Sequence, residues 1–166
     1  ATIVAVVGPL LGLVAAIILL WGWGVGWTEL AILFVGYMLT GFGVTVGFHR
    51  LFTHKSFDTG PVVTATLGVL GSMAVQGPIV PWVENHRRHH QHSDREGDLH
   101  SPHHNFGGGR HVGEKVVNWL RGAWHSHIGW MLLADPEGME RYAPDLRSNK
   151  LICTISKLFP LWIVLG

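Results

Sequence analysis

Two apolar runs joined by a short tryptophan-rich turn constrain this chain more than any other feature. Residues 2–21 are almost continuously apolar, and residues 30–48 form a second run. Each approaches the roughly 20 residues that an α-helix needs to cross a bilayer. In hydrocarbon every backbone polar group must be satisfied internally, which a helix does and an open strand does not. Pro9 and Gly12 are tolerable in such a span. Trp21, Trp23 and Trp27 surround Glu29, as aromatic anchors do at a membrane interface. The short turn makes the two runs a transmembrane hairpin, with Ala1 and His49 on one face of the membrane.

Composition agrees. Hydrophobic residues make up 48% of the 166 positions and charged residues 14%, a balance that suits a membrane protein better than a soluble globule. The length suggests one domain. A net charge of +1 makes no case for nucleic acid, and its distribution tells more than its size. Before Gly47 the only charged side chain is Glu29, and every lysine and arginine lies at Arg50 or later. Basic residues accumulate on the cytoplasmic side, so the region after residue 48 is expected in the cytoplasm and the Glu29 turn outside. Cys153 is the sole cysteine; it rules out an intrachain disulfide and reads as an inert thiol. No basic n-region precedes the first run, which argues against a secretory signal peptide. Both ends look cut, and the chain reads as a fragment of a longer protein.

The remaining chemistry lies in two histidine groups, one in His49-Arg-Leu-Phe-Thr-His54 and one in His86-Arg-Arg-His-His90, with His92 and Asp94 after it. Imidazole is the commonest protein ligand for transition metals. His86, His89 and His90 are spaced i, i+3, i+4 and share one helical face, while His92 points about 120° away. His49 and His54 are five apart, about 140° on an ideal α-helix. The second span is therefore expected to end between them, with His54 curling back. Arg87 and Arg88 are expected to face carboxylates or phosphates. Residues 61–82 are apolar enough for a third span, although Ser72, Gln76, Gly77, Pro78 and Pro81 weaken it. A site built from both groups requires this segment to be interfacial or re-entrant.

Residues 84–150 are polar, and an apolar pattern over 114–133 predicts an interfacial helix. The glycine run at 107–109 lacks the Lys-Ser/Thr sequel of a phosphate loop and reads as a flexible connection. Gly8/Gly12, Gly22/Gly26 and Gly43/Gly47 read as close helix packing within the chain rather than dimer contacts. The expected fold is all-α: a transmembrane hairpin at about 2–48, an interfacial segment at 61–82, and a cytoplasmic histidine-rich helical cap at 84–150. A further membrane segment begins at 151–166.

Several metal chemistries fall by inspection. The chain has no His-Glu-x-x-His, no Glu-x-x-His and no second cysteine, which leaves zinc proteases, carboxylate-bridged di-iron bundles and iron–sulfur sites unsupported. A nitrogen-rich site suits iron, copper or zinc.

His49-Arg-Leu-Phe-Thr-His54, His86-Arg-Arg-His-His90, Asp98-x-His100 and Ser126-His-Ile-Gly-Trp130 resemble, in order and spacing, the membrane-bound fatty acyl desaturases. The likeness is to the delta-9, stearoyl-CoA-type branch in its bacterial form, and runs from the first span through Trp130. It implies a non-haem centre of two iron ions that uses O2 and two electrons to place a cis double bond, delta-9 in this branch, in a saturated acyl chain. His49, His54, His86, His89 and His90 would be iron ligands. Asp98, His100 and His127 would stand behind them. Trp82, Trp119, Trp124 and Trp130 are candidates to line an acyl tunnel, against the ordinary roles of interfacial anchor or core residue. The implied partners are acyl-CoA or another acyl carrier, the lipid bilayer, and an electron donor such as ferredoxin, cytochrome b5 or a reductase.

The third histidine box of such enzymes is not in the chain, so the fragment alone is expected to be inactive. His100-Ser-Pro-His103-His104 repeats the H-x-x-H-H spacing but comes too early and reads as a polar loop. Leu99 and Asn85 depart from the proline and acidic residue usual in the family. Met131-Leu-Leu-Ala-Asp135 lacks the basic residues common in acyl-CoA enzymes. Two other functions compete: a related membrane di-iron hydroxylase, and a non-enzymatic membrane metal-binding protein.

Overall fold

The computed structural model describes all residues except 1, 21, 22, 24, 25, 96, 104–115 and 134–136. Trp21, Gly22, His104, the 107–109 glycines and Asp135 thus lie outside the described residues. Among those described, all regular structure is helical and there is no strand. The chain divides into two compact units, Ile3–Val83 with Asp145–Gly166, and Glu84–Pro144.

In the first unit, helix α1 covers Thr2–Leu20. Helix α2 (Trp27–Phe42) passes without a break into a π-helical segment, Gly43–Thr53. Together, Trp27–Thr53 is 27 residues long and apolar enough to cross a membrane. Its outward side chains include Ile32, Leu33, Phe34 and Tyr37, all exposed in the isolated chain. Lipid is the solvent in which such a surface carries no hydrophobic cost. The helix does not end between His49 and His54, as spacing alone suggested. The His54 N–H donates to the His49 carbonyl at 3.1 Å, and the Thr53 hydroxyl donates to the Phe48 carbonyl at 2.8 Å. These i to i−5 bonds bring residues five apart onto one face.

Helix α3 (Pro61–Met73) opens on a proline at its first position, where the missing N–H costs nothing. It crosses the π-segment with backbones nearly touching. A Cβ on Gly43 would collide with the backbone of Leu70 and Gly71, and one on Gly71 with the Phe48 ring. Gly43 and Gly47 are therefore intrachain packing residues, as read from sequence.

The segment at 61–82 is not one element. α3 ends at Met73, and the chain turns through Val75 (φ 59°) and Gly77 (φ 112°). Helix α4 then begins at Ile79 and runs to His92. Phe48, Ile79, Val83 and Ile152 are fully buried, and the Trp82 ring meets Phe48 edge-on at 5.4 Å. Helix α6 (Pro144–Ser148) precedes α7 (Lys150–Lys157), which Asn149 caps by accepting from the Leu151 and Ile152 N–H groups. α7 buries Ile152 and Ile155, and α8 (Phe159–Leu165) follows it.

The second unit holds the histidine-bearing end of α4, the loop to His103, helix α5 (Val116–His127) and two 3-10 turns, Gly129–Leu132 and Met139–Tyr142. Its interior is partly polar: Leu99, Met139 and Ala143 are buried together with Glu84, Asp98, Ser101 and His125. Such an interior is held by hydrogen bonds as much as by apolar contact.

Candidate metal centre

His49 and His54 end the π-segment as a pair. Their Nε2 atoms are 3.2 Å apart, with rings edge to face at 69°. His86 and His90, one turn apart on α4, form a second pair with Nε2 atoms 3.1 Å apart and rings at 82°. Two nitrogens bound to one ion at about 2.1 Å with a right angle between them lie about 3 Å apart. Each pair thus already has the spacing of two neighbouring ligands. In each pair both donors are imidazole nitrogens, which suit iron, copper or zinc and give calcium or magnesium nothing to bind.

His89 is directed elsewhere. Its Nδ1 donates to Asp98, 3.0 Å from each carboxylate oxygen. Asp98 also accepts from the backbone N–H of Asp94 at 3.0 Å and of His100 at 3.3 Å. Burial by itself raises the Asp98 carboxyl, but the bonds from His89, Asp94 and His100 outweigh it and hold the group below its usual 3.8. A proton on Nδ1 leaves the lone pair on Nε2, the tautomer a metal-binding histidine needs.

The donor atoms of His89, Asp98 and His100 lie within 4.8 Å of one another. They do not make a convergent ligand set. Asp98 is saturated by N–H donors, and the His100 ring stacks on His89 at 4.3 Å and 27°. Lone pairs lie in the plane of each ring, so stacked rings keep theirs in separate, near-parallel planes. His100 is instead a shelf beneath His89, with Trp130 tilted against it at 5.2 Å. Burial, then the neighbouring His89, keep His100 below its usual 6.5.

The loop that carries Asp98 and His100 is clamped at several points. Arg88 donates to the Gly97 carbonyl at 2.7 Å and contacts the Met139 sulfur, a structural role in place of the anion expected for it. Arg87 reaches the Tyr142 carbonyl at 2.9 Å. Ser101 donates to Asp94, and His92 contacts the Tyr142 hydroxyl at 3.4 Å.

The structure does not bring His127 into this cluster. Its side chain is exposed and its Nδ1 donates to the Ala123 carbonyl of its own helix, 2.8 Å away. The buried histidine of α5 is His125, whose Nε2 donates to the Leu99 carbonyl at 3.0 Å. Sequence reading passed over it, although Gly122 and His125, spaced i and i+3, share one face of the helix. Trp119 and Trp124 are exposed, while Trp82 is a packing residue of the first unit.

Curated relatives match most of the chain. It is 40% identical over 158 residues to a hex-5-enoyl-[acyl-carrier protein] acetylenase of Moorena producens (strain JHB), covering 95% of this chain and 48% of that protein. It is 32% identical over 136 residues to an sn-1 stearoyl-lipid 9-desaturase of Anabaena variabilis, covering 80% and 44%. An sn-2 palmitoyl-lipid 9-desaturase of Nostoc sp. (strain 36) is 31% identical over 156 residues, covering 90% and 49%. The chain is a fatty acid desaturase homologue. This desaturase homologue spans about half the length of the curated relatives it matches. No family model matches it, and no solved structure does.

Proposed function

We propose that the protein to which this chain belongs is a membrane acyl desaturase with a centre of two iron ions. The two histidine groups supply ligands to it, His49 and His54 from one and His86, His89 and His90 from the other, His89 through its Nε2. The observation that carries this reading is the ready-made ligand spacing of the two histidine pairs. The Phe48–Trp82 contact supports bringing them together. Phe48 immediately precedes His49, and Trp82 lies one turn before His86 on the same continuous helix.

Bound iron would activate O2, which is the oxidant, with two electrons delivered by a ferredoxin, cytochrome b5 or reductase. The balance is one CH2–CH2 unit, O2, two electrons and two protons giving one CH=CH unit and two waters. The chain's own residues orient and exclude. Asp98 holds His89 in one tautomer, His100 and Trp130 back it, and the apolar surface of Trp27–Thr53 admits an acyl chain from the bilayer. Two spanning helices, α1 and α2, form a hairpin, and the histidines face the cytoplasm where the basic residues lie. Five imidazoles are too few for two ions, so the chain alone is inactive and further ligands complete the centre.

The test is iron content and acyl products in cells expressing the gene that carries this sequence. Replacement His89→Ala should abolish both; unsaturated product at the normal level would remove His89 from the centre. The acetylenase relative, matched over 95% of the chain, favours a second reading in which an alkene becomes an alkyne. Gas chromatography of products from saturated and monounsaturated substrates separates alkene, alkyne and alcohol. The delta-9 position and the acyl carrier are read from the same chromatograms and from CoA-, carrier-protein- and lipid-linked substrates.

A further inference from the structure

The loop behind His89 is held from the far side by a residue that the histidine boxes do not include. His125 is buried, on a helix whose large apolar side chains Val117, Trp119, Leu120 and Trp124 are exposed. Its Nε2 lies 3.0 Å from the Leu99 carbonyl oxygen. A carbonyl only accepts, so Nε2 carries the proton. One turn before it, Gly122 lies so close to the Pro102 carbonyl that a Cβ would collide with that oxygen. Helix α5 therefore grips this loop at two carbonyls, Leu99 and Pro102.

The Leu99 carbonyl and the His100 N–H belong to one peptide unit, which is planar and rigid. His125 donates to the oxygen of that plane, and the nitrogen of the same plane donates to Asp98 Oδ1 at 3.3 Å. Asp98 in turn receives the His89 Nδ1 proton. The four groups form a continuous relay, each bond polarising the next: His125 to the Leu99–His100 peptide, to Asp98, to His89.

We propose that His125 is a positioning residue for the metal centre, fixing the Leu99–His100 peptide plane so that Asp98 holds His89 with its Nε2 lone pair available to metal. The proposal rests on reading His89 as a metal ligand. It goes beyond that reading in giving a role to His125.

The experiment uses the protein as expressed from the gene that carries this sequence, metal-free in detergent micelles, with 15N-labelled histidine. Long-range 1H–15N spectra report the His89 tautomer without any metal, and titration with cobalt(II) reports affinity. Wild type should show His89 as the Nδ1–H form. His125→Phe should give mixed tautomers and weaken cobalt(II) binding about tenfold or more, the usual scale for outer-shell partners. His125→Gln, which keeps an N–H donor at similar reach, should restore both; His125→Asn, one methylene shorter, should not. Far-UV circular dichroism checks that each variant keeps its helix content, and the Gln–Asn contrast decides should the Phe variant unfold. An unchanged His89 tautomer in His125→Phe, or a folded Gln variant no better than Asn, overturns the proposal. A His89 tautomer that follows His125 in a chain that takes up no cobalt(II) upholds the relay and overturns the metal reading instead.

Discussion

At the scale of single residues, Asp98 ties the second unit to the chemistry. It is buried, ionised and bonded to three N–H donors. Asp98→Asn must present an amide to one of those donors, and a partner left unpaired in a buried site costs about 1–3 kcal/mol. Cobalt(II) affinity should fall about 10–100-fold; an unchanged titration would show that the carboxylate does not set the His89 tautomer. The same group predicts a pH effect on the metal-free chain. Its folded pKa lies below the usual 3.8, so the unfolded state binds the proton first. Its contribution to stability is therefore present above pH 3.8 and lost as pH falls toward the depressed value. The Asp98→Asn chain should lose helix less steeply than wild type across that acid range. Phe48 plays the matching part in the first unit. It is fully buried beside His49, and Phe48→Ala should cost about 3–5 kcal/mol, read as a lowered melting temperature.

At the scale of elements, the π-segment is the decisive one. Five-residue spacing splits His49 from His54 on an α-helix and pairs them on a π-helix. No pattern of apolar residues distinguishes the two, because the register is set by how Gly43–Thr53 packs on α3. That crossing tolerates no side chain at Gly43, where a Cβ would strike the Leu70–Gly71 backbone. Gly43→Ala should destabilise by about 1–3 kcal/mol or more, as overpacking does. Gly36→Ala on the same helix, with nothing within 4 Å, should be neutral or stabilising. If thermal melts show equal effects, the close crossing is not the reason for the glycine. The turn into α4 holds a β-branched Val75 at φ 59°, a left-handed conformation that costs about 1–2 kcal/mol. Val75→Gly should raise the melting temperature. Gly77 and Pro78 signal the break between α3 and α4 in the sequence, whereas the left-handed turn at the apolar Val75 has no local sign.

At the scale of the whole molecule, Trp27–Thr53 should hold the chain in carbonate-washed membranes, and a soluble chain would refute the span. Cysteines introduced at Asp58 and Gln91, in a Cys153→Ser background, should both label from the cytoplasmic side. Opposite labelling would refute a centre shared by the two histidine groups. A helix long and apolar enough to cross a membrane, the helical class and the desaturase likeness were legible in the residues alone, because hydropathy and histidine spacing are local properties of a chain. The pairing of His86 with His90 on one helical face was legible for the same reason. What the tertiary structure decided was orientation: which ring nitrogen of His89 carries the proton, that His125 and not His127 faces inward, and that Arg88 holds a loop. Each depends on a partner nine to fifty-one residues away in the chain. Hydrogen-bond direction at a buried site is set by that distant partner, and local sequence carries no record of it.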